Sequence, residues 1–430
     1  MSEPRRDRST GSAADAPATA MNHGRLRRSR LGRSIAAFTA ISLAVVMVAG
    51  VSLAAIAFWR IQSNVAANAV DIGDKGAKLP QIGDFKGGFN IMLVGVDNDP
   101  SQGSAYGKRD STLNDVNILL HVSADHTSAT AVSLPRDLIV PIPSCTSEDG
   151  KTKSSAMSAR PINEAYYYGG LKCVTDTVSD LTGLDIPFAA VITFQGVIDM
   201  SDIVGGVEVC VDGPVHDKYT GLTFPAAGKY TIQGVQAQQF VRTRHGVGDG
   251  SDLGRISSQQ VFMSGLARKL TSEGTLSDLG KLYQIAEGAS EHMKLSTSLA
   301  QLDTMVSIAK AMRNIPLDRI NFIQYPGDTG GTGLYAGKVQ PNKYQAKLLF
   351  DALKADRPVQ LDADSLDTGF DGSVADPDTP TTPGTTPPAS TDPSAPASGA
   401  PSGDASDGPA ILTGIKGQSA AQQTCSHANN

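Results

Sequence analysis

The chain has 430 residues, enough for two or three domains of ~150 residues each. Lys and Arg total 37 against 43 Asp and Glu, a net charge of −6, which excludes a generally basic nucleic-acid binder. One Trp and 5% aromatic residues exclude an aromatic base-stacking platform.

Residues 1–34 form an arm with eight arginines, no lysine and three acids. Ile35 to Trp59 then runs 25 residues without a charge. At ~1.5 Å per residue a helix there reaches ~37 Å, enough to cross a ~30 Å hydrocarbon core with tilt. A secretory signal is the alternative, but its apolar region is shorter, ~7–15 residues. The arginine-rich flank predicts a cytoplasmic N-terminus and a single-pass anchor in the cell membrane through residues 35–59. Everything after Arg60 is then extracytoplasmic, beginning with a linker over residues 60–85. A 34-residue arm has no room for a DNA-binding fold, so no nucleic-acid partner is expected.

The body begins at residue 86. Phe89–Val96 reads as a buried strand followed by Asp97. Asn117–Val122 and Ala129–Leu134 are two more, with Asp125–Thr127 as the turn between them. Ala189–Phe194 and Val207–Val211 follow, separated by a short helix-like stretch. Cys173–Leu181, Val235–Phe240 and Arg255–Leu270 read as helices; in the last, Ile256, Met263, Leu266 and Leu270 fall near one face. Short apolar runs alternating with helices predict an α/β or α+β layer with helices on both faces. A helical extension occupies 271–370, with helices near Leu299–Met312 and Gln345–Leu353 and one strand, Arg319–Gln324. It either packs on the domain over 86–270 or stands apart.

Asp371 to Ala410 is a different material, with nine Pro, six Asp, no Lys or Arg and no aromatics. It cannot bury enough apolar surface to fold and is expected to be disordered. Residues 411–430 form a short C-terminal segment containing Cys425. The four cysteines, Cys145, Cys173, Cys210 and Cys425, show neither a CxxC spacing nor a His at zinc spacing, so disulfides are expected in an oxidising exterior. Three connectivities are open; Cys145 and Cys173, which flank a polar loop, are the favoured pair.

Candidate chemistry gathers at strand and helix ends. In an extended segment Arg242 and Arg244 share a face, and two guanidinium forks suit a phosphate or pyrophosphate. The alternative is a solvated strand with two exposed arginines. Gly246, Gly248 and Gly250 then form a loop ahead of Ser251, Asp252 and a helix carrying Arg255, and helix N-termini favour anions. Arg255 and Gln259, four apart, share a helical face. Asp252 is either part of this site or a plain N-cap. Pro135 ends a strand, so Arg136 either projects from its tip or forms a turn pair with Asp137. Asp97 and Asp115 stand at strand ends, either as hard oxygen ligands for Mg²⁺ or as turn residues. His121, His216 and His245 make no recognisable nucleophile arrangement, and there is no P-loop or Rossmann motif.

These blocks, in order and behind an N-terminal span, resemble the LytR-CpsA-Psr family in its actinobacterial form. The matching residues are Gly95-Val96-Asp97, Asn114-Asp115, Pro135-Arg136-Asp137, Ile162-Asn163-Glu164-Ala165-Tyr166 with Gly169-Gly170, and Val204-Gly205-Gly206-Val207. Gly234, Ala237, Phe240, Arg242, Arg244, Asp252, Arg255 and Gln259 complete them. The resemblance implies an α-β-α domain with a mixed central sheet. It implies a phosphotransferase that attaches a glycopolymer from a polyprenyl-pyrophosphate carrier to peptidoglycan, with the prenyl tail in an apolar slot between sheet and helices. Carried over by position, Asp97 and Asp115 would hold Mg²⁺, and Arg136, Arg242, Arg244, Arg255 and Gln259 would bind the pyrophosphate. Asp97, Asp115, Arg136, Arg242 and Arg244 would carry catalysis, with Asp97 or Asp115 as general base. Leu113, Pro161 and Ser258 stand where the family often has cations, with Arg109 or Arg160 as a candidate replacement for one of them. A polyprenyl-pyrophosphate hydrolase and a catalytically weak wall-polymer binder or scaffold are the alternatives.

Overall fold

The computed structural model describes residues 30–67, 69–73, 87–97, 112–272, 278–362, 365 and 409–429. The arginine-rich arm before residue 30, most of the linker, Arg109 and residues 371–408 lie outside them. The chain divides into two units after Phe58. Most of helix α1 (Arg30–Ala67) belongs to the first, and its uncharged stretch Ser34–Ser52 is wholly exposed. That stretch is long and apolar enough to cross a membrane, as a single-pass anchor or a signal sequence does.

In the second unit the strands, in chain order, are β1 (Phe89–Val96), β2 (Asn114–Val122), β3 (Ala129–Ser133), β4 (Ile139–Ile142), β5 (Met157–Pro161), β6 (Phe188–Thr193), β7 (Val207–Val211), β8 (Val215–Asp217), β9 (Leu222–Phe224) and β10 (Gly228–Ile232). There follow β11 (Met293–Leu295), β12 (Ile320–Gln324), β13 (Gly327–Asp328), β14 (Gln340–Pro341), β15 (Val359–Leu361), β16 (Ala410–Leu412) and β17 (Gly417–Ser419). The helices are α2 (Ala165–Thr182), α3 (Phe194–Ile203), α4 (Gly234–Arg242), α5 (Asp252–Ser272), α6 (Leu279–His292), α7 (Leu302–Arg313) and α8 (Lys343–Lys354).

Seven strands make a mixed sheet in the order β11-β6-β1-β2-β3-β12-β17. β1 is parallel to β6 and antiparallel to β2, and β3 is antiparallel to β2 and parallel to β12. The period-2 alternation of each strand decides its two faces. Met92, Val94 and Val96 of β1, Val132 of β3 and Ile323 of β12 pack with Val174 and Val178 of α2 and with Leu349 and Phe350 of α8. Phe89 and Ile91, Ala129 and Ala131, and Ile320 and Phe322 face the other way, against Ile308 and Ala311 of α7 with Met263 and Ala267 of α5. Helices therefore cover both faces, as the alternation predicts. A third apolar cluster joins β7, β8, β9 and β10 to α4 and α5 through Val209, Phe224, Phe240 and Val261.

The segment after residue 271 does not stand apart: β11 and β12 both enter the central sheet. The C-terminal segment folds back as well. β16, which begins at Ala410, pairs with β15, and β17 extends the sheet beyond β12. Cys210 joins Cys425, and Cys145 joins Cys173, the favoured pair. α2 starts eight residues earlier than its periodicity suggested and is broken at Gly169 and Gly170. A Cβ at Gly169 would meet Thr146 O at 2.7 Å, so the glycine lets the Cys145 loop cross the helix.

Candidate active site

The strand directions bring the C-terminal ends of β6, β1, β3 and β12 and the N-terminal end of β2 to one edge. Adjacent strands lie about 4.8 Å apart, so neighbouring strand ends place side chains within reach of one bound group. Asp97 follows β1, whose Val96 lies opposite Asn114 of β2 and Thr193 of β6. Asp115 is the next residue of β2. Pro135 follows β3, and Leu138 N donates to Pro135 O at 3.0 Å, closing a tight turn that presents Arg136.

Arg136 Nη1 donates to Asp115 Oδ1 at 2.7 Å, and its Nε lies 3.3 Å from Asp137 Oδ2. Asp137 is itself bound by Lys338 Nζ at 2.6 Å. Arg136 therefore both reaches across the edge and makes the local turn pair. Its turn is held from behind: Asn163 N donates to Arg136 O at 3.1 Å and Ile162 N to Leu138 O at 2.9 Å. Asn114 is fully buried, donates to Ile162 O at 3.2 Å and accepts from Tyr166 N at 3.1 Å. The Ile162-Asn163 block is thus a brace for the site.

Asp252 is the hub of the arrangement. Its Oδ1 accepts from Arg244 Nη2 at 3.0 Å and is ion-paired with Arg255 Nη2 at 2.7 Å, and Arg136 Nε approaches to 3.9 Å. Ser251 takes the cap of α5, its Oγ accepting from Leu253 N at 3.1 Å and Gly254 N at 3.4 Å. Asp252 is thereby released from the plain N-cap role. Arg255, 6% exposed, also donates to Asp115 O at 2.7 Å, tying α5 to β2. Gly248 adopts φ +57, and a Cβ there would meet Gly254 Cα at 2.8 Å, so the loop can close on the helix start because this residue is glycine.

The extended pairing of Arg242 with Arg244 is corrected by the structure. Arg242 ends α4, and Thr243 is its C-cap, so the two arginines sit on different local backbones. The guanidinium of Arg242 lies 4.2 Å from the centre of the Phe194 ring, a cation–π contact, and Phe194 directly follows β6. Arg242 therefore stands at the same edge, on the side of β1 away from the Asp252 hub. Gln259 donates its amide to Val241 O at 2.9 Å, bracing the end of α4. Arg160 pairs with Glu164 at 2.6 Å.

The electrostatics favour an anion. Burial pushes the Asp115 carboxyl up, but Arg255 and Arg136 outweigh it and hold the pKa below the ordinary value. Arg244 is held below its ordinary value by burial and by the neighbouring Arg255, against the pull of Asp252. A guanidinium crowded by other guanidiniums gains from an incoming anion. One buried donor points the same way: Arg255 Nε has no hydrogen-bond partner among the described residues. Ser258 Oγ, where a cation is common in the pattern noted above, is buried in the same condition. Asp97 and Asp115, 7% and 9% exposed, supply carboxylate oxygens of the kind Mg²⁺ takes when phosphate and water complete its shell. No group of three or more His, Cys, Asp or Glu gathers to hold an ion by itself among the described residues.

A cavity of about 680 Å³ lies elsewhere, between β4, β5, α2 and α8, and none of these charged site residues lines it. In the cluster under α5 and α7, Leu93, Val116 and Leu120 of the sheet and Met263 and Met305 of the helices are only partly buried.

Sequence reasoning left Asp252 open between site and cap, and it did not identify the C-terminal segment as part of the surroundings. Gly248 N donates to His427 O at 2.8 Å, and Asn429 N to Gly246 O at 3.1 Å. The last residues of the chain thus pin the loop between Arg244 and Asp252. No local signal near residue 427 could have announced this; Cys425 was the single hint.

A model of the LytR_cpsA_psr family matches residues 57–354. The cell wall biosynthesis protein LcpA of Corynebacterium glutamicum is 29% identical over 338 residues, covering 71% of this chain and 62% of that protein. The chain therefore spans less than two thirds of that relative's length. The polyisoprenyl-teichoic acid–peptidoglycan teichoic acid transferase TagU of Enterococcus faecalis is 26% identical over 284 residues, 66% of this chain and 84% of that one. The crystal structure of Bacillus subtilis TagV shares the fold, with a TM-score of 0.51 at 21% identity over 64% of this chain and 98% of that one.

Proposed function

Since the chain belongs to the LytR-CpsA-Psr family, we propose that it is a membrane-anchored extracytoplasmic phosphotransferase that moves a glycopolymer from a polyprenyl-pyrophosphate carrier to peptidoglycan. The observation that carries this reading is the Asp252 hub. Three arginines, one with an unpartnered buried Nε, converge at the sheet edge that also holds Asp97 and Asp115. Phosphoryl transfer needs positioning and charge neutralisation more than a covalent nucleophile, and this cluster supplies both. The relative TagU, named as a teichoic acid transferase to peptidoglycan, supports the substrate class.

In the proposed mechanism Arg136, Arg244 and Arg255 bind the pyrophosphate oxygens, with Arg242 at the opposite end of the row. Gln259 holds the end of α4 so that Arg242 keeps its place. Asp97 and Asp115 would hold Mg²⁺, which when bound neutralises charge on the phosphates. An acceptor hydroxyl of the wall glycan attacks the sugar-proximal phosphorus. A new P–O bond forms there, the bridging P–O bond breaks, and polyprenyl phosphate leaves. The hydroxyl proton passes to Asp97 or Asp115 acting as general base. The prenyl tail is proposed to lie along the partly buried Leu93, Val116, Leu120, Met263 and Met305, between sheet and helices. The α1 span keeps the unit at the membrane, where that tail is embedded.

The test uses the full chain in detergent with a polyprenyl-pyrophosphate-linked saccharide, peptidoglycan fragments and Mg²⁺, beside Arg244→Ala and Asp97→Ala. Joined saccharide phosphate that disappears in both variants supports the transferase. Lipid turnover without joining identifies a hydrolase, and lipid binding without turnover identifies a binder; either result refutes the proposal.

A further inference from the structure

Beside Arg244 the surface carries an aromatic pair with no evident structural purpose. Tyr219 is 67% exposed in the turn between β8 and β9, and its ring centre lies 4.5 Å from that of His245 at 44°. His245, also exposed, directly follows Arg244. Lys218 Nζ stands 5.1 Å from the centre of the Tyr219 ring. A single exposed aromatic residue is ordinary and needs no explanation. This one differs in how firmly its backbone is fixed to the arginine corner.

Asp217, 1% exposed, is the fixing point. It accepts from Tyr219 N at 2.8 Å and Thr220 N at 3.4 Å, and its other oxygen accepts from Thr243 Oγ1. Thr243 is fully buried and lies between Arg242 and Arg244. A Cβ at Gly246 would meet Val215 Cγ1 at 2.9 Å and Asp217 Cβ at 3.0 Å, so the hairpin and the arginine loop are in close contact. From the other side Asn429 Nδ2 donates to His245 O at 3.2 Å. The turn requires the acceptor at Asp217, but nothing in it requires a tyrosine ring at 219. The ring buries little surface and so adds little to stability.

We propose that Tyr219 and His245, with Lys218 beside them, form a saccharide subsite flanking the phosphate-binding arginines. Its ligand is a pyranose ring carrying a negative charge nearby. A tyrosine offers a rigid amphipathic face at low entropic cost, suited to the C–H face of a sugar, and its hydroxyl can bond the sugar's rim. Lys218 supplies a cation for a carboxylate or phosphate substituent. The inference rests on the transferase reading for the position of the phosphates. Both the acceptor glycan strand and the donor glycopolymer supply such a ring, and the experiment separates them.

The full chain in detergent, carrying Trp59→Phe and Tyr219→Trp, holds one tryptophan, placed in the subsite. Titration with a muramidase-released peptidoglycan tetrasaccharide, or with the glycopolymer's repeat unit freed of lipid, is expected to give a saturable fluorescence change with one of them. In turnover assays Tyr219→Ala is expected to raise the half-saturating concentration of that same saccharide partner about tenfold while kcat changes less than about twofold. Tyr219→Phe, which keeps the ring, is expected to restore the low value. A shift confined to peptidoglycan assigns the platform to the acceptor, and a shift confined to the lipid-linked saccharide assigns it to the donor. No fluorescence response to either saccharide, or a Tyr219→Ala effect on kcat alone, overturns the subsite. Because the titration needs no turnover, saccharide binding in a chain that transfers nothing would sink the transferase reading and leave the subsite standing.

Discussion

Replacing Asp252 by Asn keeps the size of the side chain and removes its charge, leaving Arg244 and Arg255 without their shared carboxylate. The 3.0 Å contact to Arg244 is a charge-assisted hydrogen bond of about 1.5–3 kcal/mol, and the 2.7 Å contact to Arg255 is an ion pair beside it. Removing one partner of a buried ion cluster costs about 3–5 kcal/mol. Arg255 keeps its bond to Asp115 O, and the Arg136 and Arg244 side chains are about a quarter exposed, so the loss belongs near the low end, ~3 kcal/mol. For a unit of this size that lowers the melting temperature by about 6 °C. If the same ~3 kcal/mol is lost from the transition state, kcat/KM falls about 100-fold. An anion should partly replace the carboxylate. Thermal unfolding with and without inorganic pyrophosphate is the assay, and the pyrophosphate-induced rise should be larger in the variant than in the wild-type chain. An Asp252→Asn variant that melts like wild type, or that gains no more from pyrophosphate, would refute the hub.

Arg136→Ala and Arg244→Ala should each lower kcat/KM for the lipid-linked donor by about 10²-fold or more, as removal of preorganised charge donors does elsewhere; steady-state turnover measures it. Arg242→Lys keeps the charge but loses the planar stack on Phe194, so it should recover only part of the loss seen in Arg242→Ala, which donor turnover again reports. Asp115 has a pKa below its ordinary 3.8, so its stabilisation is complete above 3.8 and disappears as pH falls through the lowered value. Melting temperatures of Asp115→Asn and wild type should therefore differ at pH 7 and converge below pH 3.8. Cys425→Ser opens the bond to Cys210 across 215 residues and should destabilise the fold by about 2–5 kcal/mol. Amides at 246–250 should then exchange faster with solvent, since His427 and Asn429 no longer hold that loop.

Much of this molecule was legible because it is written locally. An uncharged 25-residue run reads as a span without any knowledge of the rest. The strands at Phe89 and Ala129 and the helix at Arg255 appear as apolar runs and periodicity, and the observed elements lie within a few residues of them. The order of the short motifs also reads along the chain, and it carries the family resemblance. Asp97, Asp115 and Arg136 could be placed at strand ends because Pro135 and the flanking polar residues stop their strands.

Partnership between distant residues is different, because no local pattern encodes it. Arg255 bonds Asp115 O across 140 positions, and Asp252 lies within 3.9 Å of Arg136 from beyond β3. Arg242 and Arg244 looked like neighbours on a strand, since two residues apart suits extended backbone. Helix α4 instead runs to Arg242, and its packing through Ala237 and Phe240 outweighs the short-range pattern. The C-terminal segment has a composition too short and mixed to announce a strand. It becomes one because the open edge of β12 offers unpaired backbone groups, which Gly417–Ser419 satisfies. Sequence alone determined which segments bury themselves and which are long and apolar enough to cross a membrane, since these follow from the apolar content of each stretch. The tertiary structure decided which charges face one another, since that depends on the sheet order and on where the chain returns.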